Sequence, residues 1–134
     1  MLGFKTLNLG LAVLSTILFG MLLVNPGQIL DGFAVDQTAS AEFISRRAAM
    51  LFLGIAVLAY GTRNVVATDA RRAISAGFGV TMGALAALGT VEFVRGVAGP
   101  GIWPAIATEF AFALSYALVA CSEASPSDHS PPSV

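Results

Sequence analysis

One carboxylate stands inside an apolar run long enough to cross a bilayer: Glu109, within residues 102–121. A charge near the middle of a spanning helix costs about 2.5–3.5 kcal/mol on insertion scales, so it calls for a partner, a proton or a task. Helical spacing puts Phe112, Ala113 and Tyr116 on its stripe, which sets a carboxyl and a phenol one to two turns apart on one face. Three bases are candidates to meet it: Arg46, Arg47 and Arg95, the last with Glu92 three residues before it. Glu109, Arg46, Arg47, Glu92, Arg95 and Tyr116 therefore form a candidate polar pocket. In one reading Glu109 binds a cation or a proton there and an arginine sets its charge. In the other it pairs with an arginine or a hydroxyl only to fix helix register, as structural ion pairs do.

Other chemistry is narrowly bounded. Cys121 is the sole cysteine and His129 the sole histidine, so the chain offers no internal disulfide, redox thiol pair or metal cluster. No nucleophile stands with a base, and no catalytic residue, cofactor or metal site is expected. With 11% charged residues, a formal net charge of −1 and no basic stretch, nucleic acid is not an expected partner. The 56% hydrophobic content of the 134 residues points to the lipid bilayer as the surrounding medium.

Four apolar runs must position these groups, at about residues 7–24, 43–61, 73–91 and 102–121, which predicts an all-α integral membrane four-helix bundle with four transmembrane helices. The first run covers roughly 27 Å at helical rise. It has some of the look of a signal peptide, but the small-x-small site Ala39-Ser40-Ala41 lies some way past its end at Val24, so a retained first helix is expected. Asn8, Ala12, Ser15 and Phe19 share one face of it, the small and polar members turned toward the other helices. Asn25-Pro26-Gly27 stops the helix. A short interfacial helix near residues 28–33 fits the connection that follows, with residues 36–40 as a turn or cap.

The second long helix is expected to begin near Ala41, with Glu42 and Arg46 paired at i and i+4 and the two arginines snorkelling to the interface. Residues 62–72 read as a polar hairpin with Thr68 or Asp69 capping the third helix. Gly79, Gly83 and Ala87 make a small-residue stripe for close helix packing, inside the bundle or, as the lesser alternative, in a homodimer. Glu92 and Arg95 close that helix, Gly99-Pro100-Gly101 turns the chain, and Trp103 and Pro104 open the last helix. Residues 122–134, rich in Ser and Pro, read as a disordered polar tail.

Four spans put both termini on one side. Lys5, Arg63, Arg71 and Arg72 lie there, against Arg46, Arg47 and Arg95 on the other, which favours cytoplasmic termini. Glu109, seven residues past Ile102, is then about 10 Å below the surface away from the termini.

Phe43-x-x-Arg46-Arg47, Leu51-Phe52-Leu53-Gly54, Ala70-Arg71-Arg72-Ala73 and Glu92-Phe93-x-Arg95-Gly96, followed by Gly99-Pro100-Gly101-Ile102 and Glu109, carry a resemblance to small bacterial four-helix membrane proteins of unknown function that look DoxX-like. It covers roughly residues 41–120 and implies a four-helix membrane bundle without a defined active site. The expected role is an accessory or scaffold subunit of a complex in the bacterial plasma membrane, with lipid, other membrane subunits or a second copy as partners. The alternative is a small proton-coupled transporter using Glu109 as its intramembrane carboxylate.

Overall fold

The computed structural model describes residues 3–123, so His129 and nearly all of the expected tail lie outside the described residues. The described chain is all α: α1 (Phe4–Val24), the short α2 (Pro26–Gly32), α3 (Ala39–Thr62), α4 (Thr68–Val94), a 3-10 turn (Pro100–Ile102) and α5 (Trp103–Ser122). Among the described residues four helices are long and apolar enough to cross a membrane, and each contains one of the four apolar runs. The protein is a four-helix membrane bundle with a fifth, short helix at one end.

The long helices overrun their apolar runs because the flanking polar residues are themselves helical. At 27 residues α4 is roughly 40 Å long, more than a bilayer core of about 30 Å. Its ends therefore carry Asp69, Arg71 and Arg72 at one interface and Glu92 at the other, with Arg95 as its C-cap. Two expected boundaries change. The hairpin over residues 62–72 shrinks to the few residues between Thr62 and Thr68, and neither Thr68 nor Asp69 caps α4: Ala67 holds that position without a side-chain bond, and Asp69 lies in the first turn. A carboxylate one turn inside already favours the positive end of the helix dipole, so a capping side chain is dispensable there. At α3 the cap is Thr38, whose hydroxyl accepts from the Ala41 N–H at 3.1 Å, which starts the helix two residues early.

Packing pairs α1 with α3 and α4 with α5, and consecutive α3 and α4 make little contact. Gly79 and Gly83 explain the second pair. A Cβ on Gly79 would sit 3.4 Å from Tyr116 Cβ, and one on Gly83 3.7 Å from Ala113 Cβ, so the stripe serves packing inside the bundle. Ala87 is exposed at the rim of this seam. The close approach passes instead to buried Ala86 and to Gly89, where a Cβ would stand 3.0 Å from Ile106.

At the end of the bundle near the termini all four long helices share one core, in which Leu7 and Leu11 of α1, Ala59 of α3, Phe78 and Met82 of α4 and Tyr116 of α5 meet. Arg71 ties the helix ends there, bonding Glu123 at 2.9 Å with its guanidinium 4.9 Å from the Phe4 ring. At the opposite end the core is smaller. Ala86, Ala98, Ile102 and Ile106 pack with Phe33, which follows α2, and with Phe93. The two helix pairs are thus joined directly near the termini and through the α2 region at the far end.

Candidate functional site

The α2 region is built to bridge. Asn25 and Pro26 end α1 and begin α2, proline being tolerated in a first turn. After Gly32 the chain reverses through Ala34, whose φ of 55° is left-handed. The Ala34 N–H donates to Asp31 O at 3.0 Å and the Val35 N–H to Leu30 O at 2.9 Å, the paired bonds of a left-handed helix C-cap. Gln37 folds back to donate to Asp31 Oδ1 at 2.6 Å. This compact knot lies backbone to backbone on the connection between α4 and α5: the Gly99 N–H donates to Phe33 O at 2.6 Å. Side chains have no room there. A Cβ on Gly101 would lie 1.8 Å from Gly32 O, and one on Gly99 2.7 Å from Ala34 Cβ.

Beneath this bridge a cavity of about 380 Å³ separates the two helix pairs. Leu18, Met21 and Leu22 of α1 and Phe52 of α3 form one side, Ala105 and Glu109 of α5 the other, and Ile29 and Phe33 close the α2 end with Gln28 exposed at the rim. Glu109 is half-buried and is the one acidic residue in the wall. Among the described residues no ion pair and no side-chain hydrogen bond involves it. A carboxyl so placed is left to a proton or to a cation from outside the chain.

The other expected pocket members are engaged elsewhere. Arg46 bonds Glu42 at 3.2 Å, Arg95 bonds Glu92 at 2.9 Å, and the Arg47 guanidinium lies 5.8 Å from the Phe43 ring. Each arginine thus finds an acid or an aromatic ring within one turn of its own helix, at an exposed interface. A local partner there demands no desolvation of the guanidinium, whereas reaching Glu109 would. The expected pairing of Glu109 with Arg46, Arg47 or Arg95 is not formed, and Glu92 is likewise held at the surface by Arg95.

Tyr116 does lie on the Glu109 stripe of α5, but two turns farther toward the termini and fully buried. Its hydroxyl donates to Asn8 Oδ1 at 2.7 Å. Asn8 Nδ2 donates in turn to Thr62 Oγ1 at 3.1 Å, and the Thr62 hydroxyl to Leu58 O at 2.7 Å. Asn8 is also fully buried. This chain across α5, α1 and α3 supplies the register-fixing role that sequence reasoning gave to a Glu109 ion pair, and it does so without a charge. The polar face of α1 had marked Asn8, but nothing in sequence spacing marks its meeting with Tyr116, 108 positions away.

Two polar layers thus follow one another along the bundle. Near the termini the Asn8, Tyr116 and Thr62 hydrogen bonds close on themselves, and toward α2 a cavity holds an acid with no partner among the described residues. Comparison with protein-family models, with curated proteins and with solved structures finds no match for the chain.

Proposed function

We propose that this protein is a small multi-pass protein of the bacterial plasma membrane, termini cytoplasmic, that exchanges a proton for a cation at Glu109 and so acts as a small proton-coupled transporter. The observation that carries the reading is the half-buried Glu109 in the wall of an intramembrane cavity, with the nearby bases already engaged by their own helices. An acid kept there only for structure would be expected to hold a partner from the same chain. The likeness to DoxX-like proteins belongs to the same proposal and adds no site residue to it.

The test is reconstitution of the full chain into vesicles with a pH-sensitive dye inside, challenged with inward gradients of alkali ions and of organic ammonium ions. At least one cation should drive protons out of wild-type vesicles, and Glu109→Gln should abolish that flux. Proton movement that survives in Glu109→Gln, or is absent with every cation, refutes the reading. In the second case a stoichiometric subunit co-purifying in mild detergent would favour the accessory role instead.

A further inference from the structure

Taking Glu109 as the cation-binding group, we infer that the cation is an amphiphilic organic ammonium, a single positive charge carried on an apolar body, and not an inorganic ion. The cavity holds one carboxylate and, at its rim, one amide, Gln28. Calcium takes about 6–8 oxygen ligands, and even magnesium binds through carboxylates plus several retained waters. Among the described residues no group of three His, Cys, Asp or Glu side chains could hold a metal ion. One carboxylate balances one charge, so a dication would leave an uncompensated positive charge among Leu18, Leu22 and Phe52, and an anion would meet Glu109 with nothing to neutralise either.

The rest of the wall selects the body. Beyond the acid and the amide it offers aliphatic side chains, the Met21 thioether and two aromatic rings, Phe33 and Phe52. A small hydrated ion entering this space would lose its water and gain one oxygen partner, whereas an ammonium bearing an apolar group keeps the carboxylate contact and buries its body against the wall. Aromatic faces add to the attraction for an ammonium stripped of water. The volume of about 380 Å³ lies toward the lower end of the roughly 300–1,000 Å³ seen for small-molecule sites, so it suits a compact ligand.

The test uses the full chain in lipid nanodiscs and dicyclohexylcarbodiimide, which reacts with carboxyls in apolar surroundings, with adduct formation at Glu109 followed by mass spectrometry. The interfacial acids Glu42 and Glu92 are internal controls. Phenylpropylammonium, its isosteric alcohol 3-phenylpropanol, and sodium ions are compared as protectants. At saturating phenylpropylammonium, labelling of Glu109 should slow at least tenfold with no change at the controls, while 3-phenylpropanol and sodium protect less than twofold. If Glu109 is labelled but sodium protects as well, or the alcohol protects equally, or the ammonium does not protect, the inference about the cation is overturned and cation exchange at Glu109 still stands. No labelling of Glu109 without protectant overturns both.

Discussion

The junction of α2 with the connection between α4 and α5 makes a prediction whose sign is opposite to that of ordinary glycine replacement. Gly99 has φ −85° and ψ 179°, a backbone any residue adopts, so alanine there should gain about 0.4–1 kcal/mol by restricting the unfolded chain. The structure reverses this. The new Cβ would stand 2.7 Å from Ala34 Cβ, so one backbone must retreat by about 0.7 Å to reach ordinary contact, and overpacking of this kind costs about 1–3 kcal/mol. The retreat also stretches the 2.6 Å hydrogen bond from the Gly99 N–H to Phe33 O. The obstacle is a single methyl group, which makes the cost removable. Ala34→Gly takes that methyl away and relieves a left-handed residue of about 1–2 kcal/mol, against roughly 0.5–1 kcal/mol of added chain entropy, so alone it should be near neutral or slightly stabilising. The double variant should recover wild-type stability, giving a coupling of about 1–3 kcal/mol between positions 65 residues apart in sequence. Equilibrium unfolding of the four proteins in mixed micelles measures it. A Gly99→Ala protein as stable as wild type, or a double variant as unstable as Gly99→Ala, would show that the two backbones do not meet as described.

Gly101→Ala should be worse than Gly99→Ala and beyond rescue by any side-chain change, because its Cβ would fall 1.8 Å from a backbone oxygen, Gly32 O; its unfolding midpoint should drop below that of Gly99→Ala, also in the Ala34→Gly background. Tyr116→Phe strands Asn8 Oδ1 in a fully buried layer and should cost about 0.6–1.7 kcal/mol, the range of interhelical hydrogen bonds within membranes, measured by the same unfolding assay. Glu109→Gln should leave folding stability within about 0.5 kcal/mol of wild type, as at sites away from any interaction network, whereas a buried ion pair broken on one side would cost about 3–5 kcal/mol. A loss of that larger size would show that Glu109 holds the bundle together after all.

What could be read from the sequence was what is local to it. The four apolar runs, the stop at Asn25-Pro26-Gly27, the Glu42 and Arg46 pair and the Glu92 and Arg95 pair all depend on residues within a turn or two of one another, and each is present. The short helix expected near residues 28–33 is present for the same reason, two residues earlier at its start, with Pro26 in its first turn. What the spacing could not express was which helices become neighbours. Short connections suggest that consecutive spans pack; α1 with α3 and α4 with α5 do so, but α3 and α4, joined by the shortest connection, scarcely touch. Gly99-Pro100-Gly101 shows how a local reading can be right and incomplete. It is a turn, but its two glycines are needed because Gly32 and Ala34 occupy the space their side chains would fill.

The misplaced partners of Glu109 come from the same source. Sequence topology brought three arginines to the correct end of the bundle, and proximity of opposite charges made pairing with the acid the natural expectation. The deciding quantity is where each guanidinium loses least hydration. An interface arginine with an acid one turn away already has a partner in water, so moving it about 10 Å inward would add desolvation and exchange one carboxylate for another. Register, the other need an ion pair could have met, is served by Asn8, Tyr116 and Thr62 with neutral hydrogen bonds. With both structural claims on Glu109 satisfied by other residues, the cost of placing an acid in the α5 span falls to whatever enters the cavity beneath α2. Under the proposed cation exchange, flux across the membrane, and not the stability of the bundle, is where the consequence of replacing Glu109 should be sought.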